Sequence, residues 1–148
     1  MLEQLKRQAT ELGLGSQVHF TGFVSGADKA GLLQRADLYV VPSILTASGD
    51  AEGLPVSLME GLAHGKICIA TVESGADDIL TDDRDGFLIS GKNIEALAAA
   101  LVQAARLDSE RRSSMEVAAR QTARQFAWAT IAARHYEFLF ESFDRDQP

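Results

Sequence analysis

Leu38-Tyr39-Val40-Val41-Pro42-Ser43 is followed by a polar loop from Thr46 to Glu52, then by EGLPVSLMEGLAHG over residues 52–65 and KICIAT over residues 66–71. This stretch reads as strand, loop, helix and strand. Leu38 to Val41 is rich in β-formers and stops at Pro42, which has no N–H for a ladder. Pro55 fits the first position of a helix that runs to about His64, and Gly65 ends it. Lys66 to Thr71 contains a continuous apolar run, as expected of a parallel strand covered on both faces. Two strands joined through a helix pair in parallel.

The same alternation extends outward in both directions. Residues 2–12 read as a helix closed by Gly13 and Gly15, Val18 to Thr21 as a strand, and residues 26–36 as a helix with Ala27, Ala30, Leu32 and Leu33 on its apolar side. Downstream, Gly75 to Leu80 reads as a short helix, Asp85-Gly86 as a turn and Phe87 to Ile89 as a strand. Residues 93–106 carry Ile94, Leu97, Ala98, Leu101, Val102 and Ala105 at helical spacing. Two further helices are expected over 110–125 and 129–143. The pattern predicts an α/β fold, a Rossmann-like parallel sheet of about four strands with flanking helices. Residues 1–148 are read as a single partial domain of this kind, closing in helices over about 110–143.

Composition narrows the function. Of 148 residues, 46% are apolar and 24% charged, as in an ordinary globular domain with a real core. A formal net charge of −7 argues against nucleic acid, which needs clustered Lys and Arg. No apolar run approaches the ~18 residues of a membrane span, and the charged first residues do not read as a secretory signal. Cys68 is the one cysteine, so no internal disulfide is expected, and its apolar setting reads as a core thiol kept protonated by burial. These features suggest a cytoplasmic location. His19 and His135 have no companion cluster that would suggest a metal.

The chemistry is expected at the strand–loop–helix passage. A helix that follows a parallel strand begins at the carboxyl edge of the sheet, where open α/β folds bind ligands. The first-turn amides, at Val56, Ser57 and Leu58, are expected to point into that crevice, and the helix start carries roughly +0.5 of a charge. Glu52 precedes the helix, and Glu60 lies roughly 7 Å along it at ~1.5 Å per residue. One carboxylate on each side of an anion site matches the layout of a nucleotide-diphosphate sugar: ribose, diphosphate, hexose. Carboxylates are strong acceptors for sugar hydroxyls. The spacing is equally compatible with an acidic helix cap and a solvated glutamate. Ser43 and Thr71, each following a strand, are candidates to line the crevice. Trp128 is expected as a core anchor, and Tyr136, Phe138, Leu139, Phe140 and Phe143 of the last helix as ordinary core packing or, alternatively, as a surface that covers a domain absent from these residues.

An ordered set of motifs resembles the C-terminal domain of the retaining glycosyltransferases called glycosyl transferases group 1, which have the GT-B architecture. It comprises Val18-His19-Phe20-Thr21-Gly22, then Ala36-Asp37 with Val41-Pro42-Ser43, then the E-x7-E pair Glu52 and Glu60, then Ala63 and Gly65, Ser74-Gly75, Asp85 to Ile89, and Phe126-Ala127-Trp128. It spans roughly residues 14–130. The resemblance implies that Glu52 contacts hydroxyls of the donor hexose near the reaction centre and Glu60 the ribose hydroxyls. It has the amides around Val56 and Ser57 face the diphosphate and counts Gly53 and Leu54 among the donor-binding residues. It implies transfer of a hexosyl unit with retention, from a nucleotide-diphosphate sugar to an acceptor, generally without a metal or other cofactor.

The chain departs from the family pattern at Gly61, where alanine is frequent, at Lys66-Ile67, where Gly-Pro-Val is common, at Ser74 for a glycine and at Asp78 for a glutamate. The resemblance also implies two preceding strands, a basic pair that grips the diphosphate and an N-terminal acceptor domain, none of which is recognisable in these residues. The chain alone is therefore expected to be inactive. An exposed sheet edge, a homodimer across it and peripheral membrane attachment of the full-length protein are further expectations. The alternative readings are a non-catalytic nucleotide or sugar-nucleotide binding module and an interaction fragment.

Overall fold

The computed structural model describes residues 1–44 and 55–145, with burial assigned through Phe140. Contacts divide the chain into two compact units, Met1–Leu32 and Leu33–Pro148.

The first unit opens with α1 (Leu2–Glu11), whose Ala9 is buried. The helix ends because Gly13 turns left-handed (φ 71°), which lets the Leu14 N–H reach Ala9 O at 2.8 Å. Val18 to Thr21, expected as a strand, is not one. A strand exists only as part of a ladder, and among the described residues no neighbour pairs with this segment. A second helix, α2 (Gly26–Arg35), spans the junction between the units.

The second unit holds β1 (Leu38–Val41), α3 (Val56–Ala63), β2 (Ile67–Thr71), β3 (Gly86–Ile89), α4 (Ile94–Ala105), α5 (Ser109–Gln125) and α6 (Trp128–Arg145). Two 3-10 turns, Val72–Ser74 and Ala76–Asp78, replace the single short helix expected over Gly75 to Leu80. The sheet order is β1-β2-β3, all parallel, with Leu38 opposite Ile67 and Cys68 opposite Gly86. Among the described residues three strands form where about four were expected, and the missing one is Val18 to Thr21.

All five residues of β2 are buried, which is why this strand reads as an unbroken apolar run. Successive side chains alternate between two cores. Cys68 and Ala70 pack with Val41, Leu58, Leu62 and Ala119 on one face. Ile67 and Ile69 pack with Phe87, Ala100, Ala104 and Met115 on the other. The outer edge of β3 is closed by its own approach loop: Leu88 N–H donates to Asp82 Oδ1 at 2.9 Å, and Asp83 N–H to Gly86 O at 2.9 Å. Buried Asp85 fastens that loop to α5, accepting from Thr81 N–H at 2.7 Å and from the Thr122 hydroxyl at 2.6 Å.

The aromatic end of the chain differs from expectation. Trp128 is 86% exposed, because Phe126, two residues earlier, takes the place against the core. Tyr136, Phe138, Leu139 and Phe140 are also exposed, with the Tyr136 and Phe140 ring centroids 4.2 Å apart and the rings tilted by 33° on the outside of α6. The side chain of Phe143 lies outside the described burial. Among the described residues no helix is long and apolar enough to cross a membrane.

Candidate functional site

The passage from β1 to β2 places the start of α3 at the carboxyl edge of the sheet. Leu58, Gly61 and Leu62 are buried and seat the helix on the sheet. Gly61 permits a close approach: a Cβ there would lie 2.6 Å from the Tyr39 ring and 3.0 Å from Cys68 Sγ. Gly65, left-handed at φ 67°, ends the helix, and its N–H donates to Leu62 O at 2.8 Å.

Pro55 sits at the N-cap (φ −73°, ψ 97°), so Val56 is the first helical residue. The Leu58 N–H, expected to be free, donates to Pro55 O at 2.9 Å, and Met59 N–H approaches the same oxygen at 3.4 Å. A carbonyl at the cap naturally accepts the first intrahelical bonds. The amides of Val56 and Ser57 have no acceptor among the described residues. Val56, Ser57 and Glu60 stand at i, i+1 and i+4, a single stripe on the flank of the buried face. Val56 is 63% exposed, and Ser57 and Glu60 are half-buried. Three of the expected donor-site positions therefore share one surface. Glu52, Gly53 and Leu54 lie outside the described residues.

The strand ends beside α3 are tied together. Thr71, 2% exposed, donates its hydroxyl to Ser43 O at 2.5 Å, and Ser74 Oγ donates to Thr71 O at 2.6 Å. Thr71 lines a cavity of about 170 Å³ with Pro42, Ile44, Ile89 and Asn93. Sequence reasoning passed over the β3–α4 turn, Ser90 to Asn93, which lines the same cavity. Its signal was available: a polar run directly after a parallel strand falls on the ligand-binding edge. A separate groove of about 390 Å³ lies within the first unit, lined by Lys6, Thr10, His19 and Thr21 among others.

Other candidates have structural occupations. His64 Nδ1 sits 2.9 Å from Glu60 O, capping the end of α3. Lys66 Nζ donates to Gln34 O at 3.0 Å. Burial, with a smaller contribution from the Asp85 charge, pushes the Cys68 thiol up to about 12, so it is a core group and no nucleophile. Among the described residues no three His, Cys, Asp or Glu side chains group to hold a metal ion.

Comparison with known proteins gives the family. The family model described as glycosyl transferases group 1 matches residues 1–122. A putative colanic acid biosynthesis glycosyltransferase, WcaL of Salmonella typhimurium, is 31% identical over 122 residues, covering 82% of this chain and 30% of the relative. A GDP-mannose-dependent alpha-(1-6)-phosphatidylinositol monomannoside mannosyltransferase of Mycobacterium tuberculosis is 29% identical over 140 residues, covering 93% and 36%. Among solved structures, Anabaena Alr3699/HepE in complex with UDP superposes with a TM-score of 0.80 at 26% identity, over 95% of this chain and 36% of that one. The C-terminal domain of a glycosyl transferase group 1 family protein (LpcC) from Francisella tularensis does so at 0.67 and 25%, over 83% and 60%. The chain spans about a third of the length of these curated relatives.

Proposed function

The chain belongs to the glycosyl transferases group 1 family, and from that premise we propose that it is the donor-binding half of a retaining hexosyltransferase that uses a nucleotide-diphosphate sugar. In the transfer, the bond between the anomeric carbon and the diphosphate oxygen breaks, with its electron pair leaving on the diphosphate. The anomeric carbon bonds to an acceptor hydroxyl oxygen, and the hydroxyl proton passes to the departing diphosphate. The protein's task is to hold the donor and stabilise charge on the leaving group.

One observation carries this reading. The two first-turn amides of α3 without a described acceptor, at Val56 and Ser57, open beside the carboxyl edge of a parallel sheet, and Glu60 lies one turn along on the same stripe. Such a helix start favours a diphosphate without nearby lysines, and α3 carries no basic residue in its last turn and no acid in its first. Glu60 takes the ribose hydroxyls. Glu52, eight positions earlier, takes hydroxyls of the hexose. The complex of Alr3699/HepE with UDP supports a nucleotide ligand. The acceptor is held by polypeptide outside the matched third.

Titration calorimetry with UDP, GDP and their glucose and mannose conjugates tests the site. One of them binds, and Glu60→Gln weakens it about tenfold or more, the worth of a charge-assisted hydrogen bond. Equal binding by wild type and Glu60→Gln removes the reading.

A further inference from the structure

The same sheet edge carries a groove whose lining does not include Val56, Ser57 or Glu60. The cavity of about 170 Å³ between the ends of β1, β2 and β3 and the start of α4 adjoins one of about 110 Å³, and Ile44 and Lys92 line both. Its wall is apolar: Ile89 and Leu97 are half-buried, while Ile44 and Ile94 stand 52% and 78% exposed at the rim. The size suits a small ring or short chain better than a whole nucleotide.

The polar groups are mostly donors. Lys92 brings an ammonium and Ser90 a hydroxyl. Asn93 Oδ1 already accepts the Ala96 N–H at 2.9 Å, which leaves that side chain its NH2 to offer. Among the described residues the one acid in the lining, Glu73, is engaged by the Gly91 N–H at 2.7 Å. The turn is held from both sides, since the Gly91 N–H bonds the Glu73 carboxylate and Asn93 caps α4. Lys92 between them is held left-handed at φ 57°. The backbone thus sets the direction in which the Lys92 side chain leaves the turn.

We infer that this groove binds a phosphate-bearing amphiphile, with the phosphate on Lys92, Ser90 and Asn93 and an apolar segment over Ile44 and Ile94. Three donors from one turn match the oxygens of a phosphate, and covering two exposed isoleucines favours an apolar segment over water. The ligand chemistry does not depend on the donor-site reading above, although the groove and the start of α3 share one sheet edge.

Amide NMR titration of the chain with octyl phosphate, octyl glucoside and inorganic phosphate tests the inference. Octyl phosphate shifts Thr71 and Ser90 to Ile94 and binds more tightly than either control. Lys92→Gln weakens octyl phosphate about fivefold, the scale of an exposed charge pair. Ile94→Ser weakens octyl phosphate and leaves inorganic phosphate unchanged. Shifts elsewhere, equal binding of octyl phosphate and octyl glucoside, equal binding of octyl and inorganic phosphate, or an unaltered Lys92→Gln overturns it. UDP titrated into the same sample reads Val56, Ser57 and Glu60 independently, so the two sites fail separately.

Discussion

At the scale of single residues, close packing explains a departure from the family pattern. Gly61 stands where alanine is frequent, and here the space of that methyl is taken by the Tyr39 ring and Cys68 Sγ. Gly61→Ala is expected to lower stability by about 1–3 kcal/mol, the usual penalty of overpacking. Adding Tyr39→Val reduces that penalty, and urea unfolding of the four variants in the cycle measures it. A full penalty in the Tyr39→Val background would mean the ring is not the obstacle. Cys68 supplies a pH signature. Its thiol stays neutral in the fold up to about 12 and ionises near 9.0 when unfolded. Its contribution is complete below pH 9.0, and it is lost as pH rises toward 12, because the unfolded chain then releases a proton that the fold retains. Stability is expected to fall by up to about 1.4 kcal/mol per pH unit in that window. Cys68→Ala shows a shallower decline in alkaline unfolding curves.

At the scale of elements, the two edges of the sheet are unlike. β3 is shielded by the loop of Asp82 and Asp83. β1 is the other end strand, Leu-Tyr-Val-Val, with no charge or proline within it, and among the described residues no strand pairs with its outer edge. Unshielded edges recruit strands. A second copy pairing along β1 is the proposal that follows, and sedimentation should show mass rising above one chain with concentration. A one-chain mass at the highest concentration rejects it. Pairing also explains what was and was not legible. β1, β2 and β3 were readable because their apolar runs find one another through short crossovers. Val18 to Thr21 has comparable residues and no ladder, since a strand needs a neighbour that its own residues do not supply.

At the scale of the whole molecule, the chain spans about a third of the length of its relatives. The isolated chain is expected to release no detectable hexose to acceptor from the nucleotide sugar it binds, measured as nucleotide diphosphate formed. Turnover by this chain alone would show that it holds both substrates.

The residues by themselves determined the α/β class, the parallel order, the span of α3 and the grouping of Val56, Ser57 and Glu60 on one edge, because periodicity, proline and glycine act locally and short crossovers leave little choice of topology. Only the tertiary structure decided that Phe126 and not Trp128 is buried, that Leu58 spends its amide on Pro55, and that Lys92 lines a groove with Ile44. Each of these depends on which surface another element covers, and that is fixed by contacts between residues far apart in the chain.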